Sequence, residues 1–149
     1  MTRRIRLGVL TPSSNTALEP LTQALIAGLP EVSVHFSRFS VTQIALSADA
    51  LGQFQLERIL DAARLLADAH VDVIGWSGTS AGWLGFETDV ALCQAITEAT
   101  AIPATTSVLA LNKALQRFGI RRLGLVSPYL AEVQAKIVAD YAALGIDAS

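Results

Sequence analysis

Short apolar runs of β type alternate with segments of helical period along this chain, and that alternation leaves few folds open. Residues 5–11, Ile-Arg-Leu-Gly-Val-Leu-Thr, form a compact β-compatible run closed by Pro12-Ser13-Ser14-Asn15. Leu18, Leu21, Leu25 and Leu29 then recur at helical spacing, predicting a helix over 16–28 with Ser14 or Asn15 as its cap. Val32, Val34 and Phe36 alternate with polar residues, the pattern of a strand covered on one face. Residues 42–48 read as loop. Ser47 reads as the cap of a long helix from Ala48 to Ala69, with Leu51, Phe54, Ile59, Ala63 and Leu66 on its apolar stripe. Residues 71–76 are almost continuously apolar, as in a buried parallel strand.

A Gly-rich loop from Ser77 to Gly85 leads into a predicted helix from Thr88 to Thr100, with Val90, Ala91, Ala95 and Ile96 inward. Residues 103–106 read as a short extended link. A helix over 108–118 follows, with Leu111, Leu115 and Phe118 on one side and Gly119 as its stop. Arg122 to Val126 is a further strand. Ser127 and Pro128 then look like a cap and first helical residue, and Val133, Ile137, Tyr141 and Leu144 mark a helix stopping at Gly145. Strands alternating with helices predict an α/β fold, a parallel sheet with helices on both faces. In such sheets ligands bind where the strands end, so the loops at 11–16, 76–86 and 127–130 are the ones to watch.

Leu7-Gly8-Val9-Leu10-Thr11-Pro12 is echoed by Leu123-Gly124-Leu125-Val126-Ser127-Pro128, each after basic residues and before a helix. Two related lobes are the expectation: an N-terminal α/β lobe over 1–120, and the first strand and helix of a second, incomplete lobe over 121–149. Chance recurrence of an apolar strand ending in Thr/Ser-Pro, within a single-lobe protein, is the alternative.

Composition narrows the function classes. With 52% apolar and 16% charged residues the chain buries enough surface to offset its ordering entropy. A net charge of −2 and no basic run longer than Arg3-Arg4 argue against nucleic acid. No apolar stretch approaches the roughly 20 residues of a membrane span. The apolar run after the N-terminus meets Pro12 too soon for a signal peptide. One cysteine, Cys93, makes no internal disulfide, and a cytoplasmic setting is the expectation. Cys93 reads as a small core residue. Glu19, Asp72 and Glu87 show no metal-ligand spacing and read as surface or capping charges.

Two loops carry candidate chemistry. Gly78-Thr79-Ser80-Ala81-Gly82 fits the G-x-S-x-G pattern of a nucleophile elbow, but the only histidines, His35 and His70, both precede Ser80, against that motif's order. The same loop can hold an anion with its amides and the Thr79 and Ser80 hydroxyls, or be a structural turn. Pro12, Ser13, Ser14 and Asn15 offer amides, hydroxyls and a carboxamide to a carboxylate, although alone they read as a helix cap. Tyr129 offers a phenol from a third loop, or is a half-buried aromatic at a helix start. Trp76 and Trp83 flank the Gly-rich loop, either as an apolar wall or, for Trp76 above all, as core.

Gly8-Val9-Leu10-Thr11-Pro12-Ser13-Ser14-Asn15-Thr16, with Glu19-Pro20 after it, resembles the opening of maleate cis-trans isomerases, within the aspartate/glutamate racemase superfamily. Val71 to Ser80 is similar to the segment with that superfamily's first catalytic position. The stretch from Glu98 to Thr106 and on to Ser127-Pro128-Tyr129 resembles arylmalonate decarboxylases. The resemblance implies two flavodoxin-like lobes around a cleft and chemistry without cofactor. It sets Gly78 where the racemases and isomerases have their first cysteine, as arylmalonate decarboxylases do. It implies that Thr79, Ser80 and Tyr129 belong to a dioxyanion hole, that Gly78 leaves room for a bulky substituent or a leaving carboxylate, and that Pro12, Ser13, Ser14 and Asn15 bind substrate. A second-lobe cysteine, expected beyond Ser149, would protonate an enediolate, so the 149-residue chain is expected to be inactive alone. The expected partner is a small carboxylate. A homo-oligomer, and a module that binds a small anion without turning it over, are left open.

Overall fold

The computed structural model describes residues 4–40 and 50–149, with the backbone alone for 50–55. The expected loop at 42–48 and the Ser47 cap lie outside the described residues, as do the side chains of Leu51 and Phe54. Six strands and six helices follow in the order β1 (Ile5–Pro12), α1 (Leu18–Ile26), β2 (Val32–Phe39), α2 (Ala50–Asp68), β3 (Val73–Trp76), α3 (Ala81–Leu84), α4 (Phe86–Thr100), β4 (Ala104–Thr106), α5 (Ser107–Arg117), β5 (Arg122–Leu123), α6 (Ala131–Ala143) and β6 (Asp147–Ala148). The alternation in the sequence becomes an α/β fold with all-parallel pairing.

The main sheet has the order β2-β1-β3-β4. From β1 the chain moves to one side to make β2, then crosses back to make β3 on the other. Right-handed crossovers place α1 on one face and α2 and α4 on the opposite one. Leu10, Ile74, Leu66, Ala63 and Ile96 centre the core between the sheet and α2 and α4. Among the described residues β5 and β6 pair only with each other, and α6 joins them over a second apolar cluster built on Trp83, Leu115, Ile137, Tyr141 and Ile146. No helix among the described residues is long and apolar enough to cross a membrane.

Helical periodicity located the helices better than their buried faces. In α1 no residue is buried, and Leu25, on the expected stripe, is 82% exposed. In α4, Ile96 is fully buried, but Val90 and Ala91 point outward. The cause is Asp89: its carboxylate accepts a hydrogen bond from the Thr106 hydroxyl, and burying Asp89 turns its neighbours at 90 and 91 to solvent. In α5 only Leu115 of the expected trio is buried, and Phe118 is exposed.

Element bounds also differ, α1 running Leu18–Ile26 where 16–28 was expected. α4 begins at Phe86, two residues early, and α3 interrupts the Gly-rich loop. The strand expected over Arg122–Val126 pairs only at Arg122 and Leu123, and Val126 is fully exposed. Ser127 and Pro128 do not cap α6. The extended residue before it is Leu130, and the Ser127 carbonyl and hydroxyl instead accept from the Gln134 carboxamide. Pro128 disfavours helical backbone at Ser127, and the extended Leu130 sets the start of α6 at Ala131. The stops at Gly119 and Gly145 are as expected, both at positive φ (64° and 72°).

Candidate functional site

The strand order reverses between β1 and β3, and the carboxyl ends of two such adjacent strands are the position where open α/β sheets bind ligands. Leu10 lies opposite Trp76 in the register, and the Ser77 amide donates to the Leu10 carbonyl at 3.4 Å. The loops after β1 and β3 therefore leave the same rim side by side. Pro12, Ser13, Ser14 and Asn15 form the first loop, and Gly78, Thr79 and Ser80 the second.

In the first loop the Asn15 side-chain oxygen accepts from the amides of Ala17 (3.0 Å) and Leu18 (2.9 Å), so it opens α1, as the sequence suggested. Its NH2 group remains a hydrogen-bond donor. Arg38, near the end of β2, donates to the Ser13 carbonyl at 2.8 Å and pairs with Glu19 at 2.8 Å. That guanidinium braces the loop, and sequence reasoning missed it. Its signal was a lone basic residue near the end of an alternating strand.

In the second loop the Gly78 carbonyl accepts from the Ser107 hydroxyl at 2.5 Å. The Thr79 carbonyl accepts from the Gly82 amide (3.0 Å), and the Ser80 carbonyl from the Trp83 and Leu84 amides (3.1 and 3.0 Å). With the carbonyls turned into the short α3, the hydroxyls are left for other partners, and the Ser80 side chain makes no capping bond. The Thr79 hydroxyl meets the Tyr129 phenol at 2.6 Å across 50 residues of sequence. The Tyr129 ring packs edge-on against buried Trp83, with centroids 4.9 Å apart. Thus a loop of the main sheet and a loop of the β5–α6 unit share one hydroxyl pair.

Gly78 departs from expectation. The space beside it is filled by the Trp76 indole, so it does not stand open for a substituent. Trp76 also packs on Phe39 and on the core under β3. Behind the loop, Thr106 is 1% exposed. It donates to the Asp89 carboxylate and accepts from the Leu109 amide at 3.1 Å, capping α5. Burial raises the Asp89 pKa above its ordinary value, and the Thr106 bond partly offsets the rise. Thr106 and Ser107 were missed as supports of the loop, although a hydroxyl run opening a helix was their signal.

Neither histidine reaches Ser80 as a base. His70 is exposed at positive φ before β3, at the opposite edge of the sheet, and the His35 ring is bonded to Ser33 on β2 at 3.2 Å. Cys93 is half-buried and lines a separate cavity of about 730 Å³ beside α4 and α5, outside the core where it was expected. Burial, then Asp89, raise its thiol pKa, with Lys113 opposing.

The arylmalonate decarboxylase family model matches residues 7–148. The chain belongs to the arylmalonate decarboxylase family. It is 32% identical to the maleate isomerase of Pseudomonas putida over 149 residues, covering 93% of this chain and 58% of that protein. It is 33% identical to the arylmalonate decarboxylase of Bordetella bronchiseptica over 85 residues, 56% of this chain and 35% of that protein. Its fold is similar to a crystal structure of arylmalonate decarboxylase (TM-score 0.75, 25% identity), covering 97% of this chain and 60% of the other. It is also similar to the Nocardia farcinica maleate cis-trans isomerase bound to TRIS (TM-score 0.74, 27% identity), covering 95% and 60%. The chain thus spans less than two thirds of the relatives it matches.

Proposed function

We propose that this chain forms one wall of a cofactor-independent active site that decarboxylates a small carboxylate through an enediolate. The observation that carries the reading is the Thr79–Tyr129 hydroxyl pair at the strand-order reversal. In this reading the Thr79, Ser80 and Tyr129 hydroxyls face the carboxylate that remains, while Asn15 and the Pro12-Ser13-Ser14 backbone hold the substrate. The bond from the α-carbon to the departing carboxylate breaks and carbon dioxide leaves. The electron pair spreads over the α-carbon and the remaining carboxylate, where the hydroxyls stabilise the growing negative charge. Donors fixed before that charge develops need no reorganisation, which is why one of them is worth about 2.7–4 kcal/mol.

A proton must then reach the α-carbon. Residues 12–16 and 77–80 supply hydroxyls, amides and a carboxamide, none acidic near neutral pH. The donor in this proposal belongs to a partner lobe, of which residues 121–149 are the opening strand and helix and residues 1–120 the complement. The separate β5–β6 pairing supports that division.

The test is turnover of phenylmalonate and of maleate by the full-length protein. Carbon dioxide release from phenylmalonate that is lost in Thr79→Val supports the proposal. Maleate isomerisation with Gly78 in place overturns the decarboxylase reading in favour of an isomerase. Binding of either acid without turnover favours a non-catalytic anion-binding module, a reading supported by the lack of a titrating side chain in the two loops.

A further inference from the structure

Gly78 is not required by its backbone, because the glycines at positive φ are Gly85, Gly119 and Gly145. It is required by Trp76. A Cβ at residue 78 would fall on the indole ring, against Cζ2, Cε2 and Nε1. At Gly75 and Gly82 the nearest atom to such a Cβ is 3.7 Å away, an ordinary contact. Neither partner of the Trp76–Gly78 contact is free to yield. The Trp76 backbone is paired with Leu10 on one side and Thr106 on the other, and its ring packs on Phe39 at a centroid distance of 5.1 Å. The Gly78 carbonyl is held by Ser107.

From this geometry we infer that Trp76 is the specificity-determining side chain of the rim, an indole that takes the volume of a residue-78 side chain and presents an aromatic surface beside Thr79. The inference rests on the proposed reading of this rim as the carboxylate site. Two consequences follow. No reactive side chain fits at 78 while Trp76 stands, so any proton-transfer group on this wall would have to come from another position. A bound carboxylate also meets the flat apolar ring with its substituent, so discrimination among carboxylates depends on Trp76 while their capture depends on the hydroxyls.

Two measurements test this. In thermal unfolding, Gly78→Ala is expected to lower Tm by roughly 3–10 °C, the range for overpacking. In a Trp76→Leu background the same change is expected to cost less than half as much. An equal loss in both backgrounds, or none in the first, overturns the steric claim. In binding, the Trp83→Phe protein leaves Trp76 as the single tryptophan, and its emission is followed on titration with phenylacetate and with acetate. Trp76→Leu, followed by calorimetry, is expected to weaken phenylacetate roughly three- to tenfold, the range for an aromatic contact, and acetate less than twofold. Equal loss for both, or for neither, overturns the specificity claim. If Thr79→Val abolishes binding while Trp76→Leu leaves phenylacetate unchanged, the rim remains the carboxylate site and Trp76 is only core. If neither probe binds the unmodified protein, both claims about ligand fall.

Discussion

Replacing Thr106 with valine removes one hydroxyl that does two things at once. It caps α5 through the Leu109 amide, and it is the hydrogen-bond partner of a carboxylate that is only 3% exposed, Asp89. Losing a side-chain cap costs about 0.5–2 kcal/mol. Losing a hydrogen bond to a charged group costs about 1.5–3 kcal/mol. Valine keeps the shape, so no cavity is added, and the expected total is roughly 2–5 kcal/mol at neutral pH. The pH dependence separates the two parts. Asp89 has a native pKa raised above the ordinary 3.8 by burial, so between pH 3.8 and that native value the native state holds a proton that the unfolded chain has released. This contribution to stability is therefore fully present below pH 3.8 and is lost as pH rises through the native value. Without Thr106 the native pKa rises further, because the bond that lowered it is gone. The penalty of Thr106→Val should then be largest at pH 7 and shrink toward the cap term alone near pH 3.5. Urea unfolding of both proteins at the two pH values measures it, with Asp89→Asn as the control in which the pH dependence disappears. A penalty that is the same at both pH values, or under about 0.5 kcal/mol at pH 7, the scale of an ordinary surface change, would refute the reasoning.

Tyr129→Phe keeps the ring against Trp83 and removes the phenol. Stability should change by no more than about 1.5 kcal/mol, while kcat for the proposed decarboxylation by the full-length protein falls roughly 10²- to 10³-fold, as steady-state kinetics beside a melting curve will show. Asn15→Ala removes the acceptor of the Ala17 and Leu18 amides at the start of a helix with no buried residue, so hydrogen exchange within α1 should quicken about fivefold for each kcal/mol lost, with a cost of about 0.5–2 kcal/mol. Ala101 closes α4 at φ 58°, a conformation that costs an L-residue about 1–2 kcal/mol. Ala101→Gly should therefore raise Tm by roughly 2–4 °C after the entropy of glycine is deducted, measured by calorimetry.

The rim was legible before the fold because each of its loops carries its own local chemistry. A strand that stops at Pro-Ser-Ser-Asn and one that stops before Gly-Thr-Ser announce turns whose amides and hydroxyls cannot all be spent within the turn. Asn15 as a cap and Gly119 and Gly145 as stops were legible for the same reason, since capping depends on residues within one turn. The buried faces were less so. Val90, Ala91, Leu111 and Phe118 have the right spacing, yet a buried Asp89 on α4 and packing centred on Leu115 in α5 decide which way each helix turns.

By itself, then, the sequence determined the alternation of parallel strands and helices and the three loops that carry hydroxyls, because periodicity and turn chemistry act over a few residues. Tertiary structure alone decided that β1 lies between β2 and β3, that Thr79 meets Tyr129, that Arg38 and Ser107 brace the two loops, and that an indole occupies the space beside Gly78. Those facts depend on strand order and on the direction of side chains from different elements, and neither is encoded in the spacing of residues along one segment.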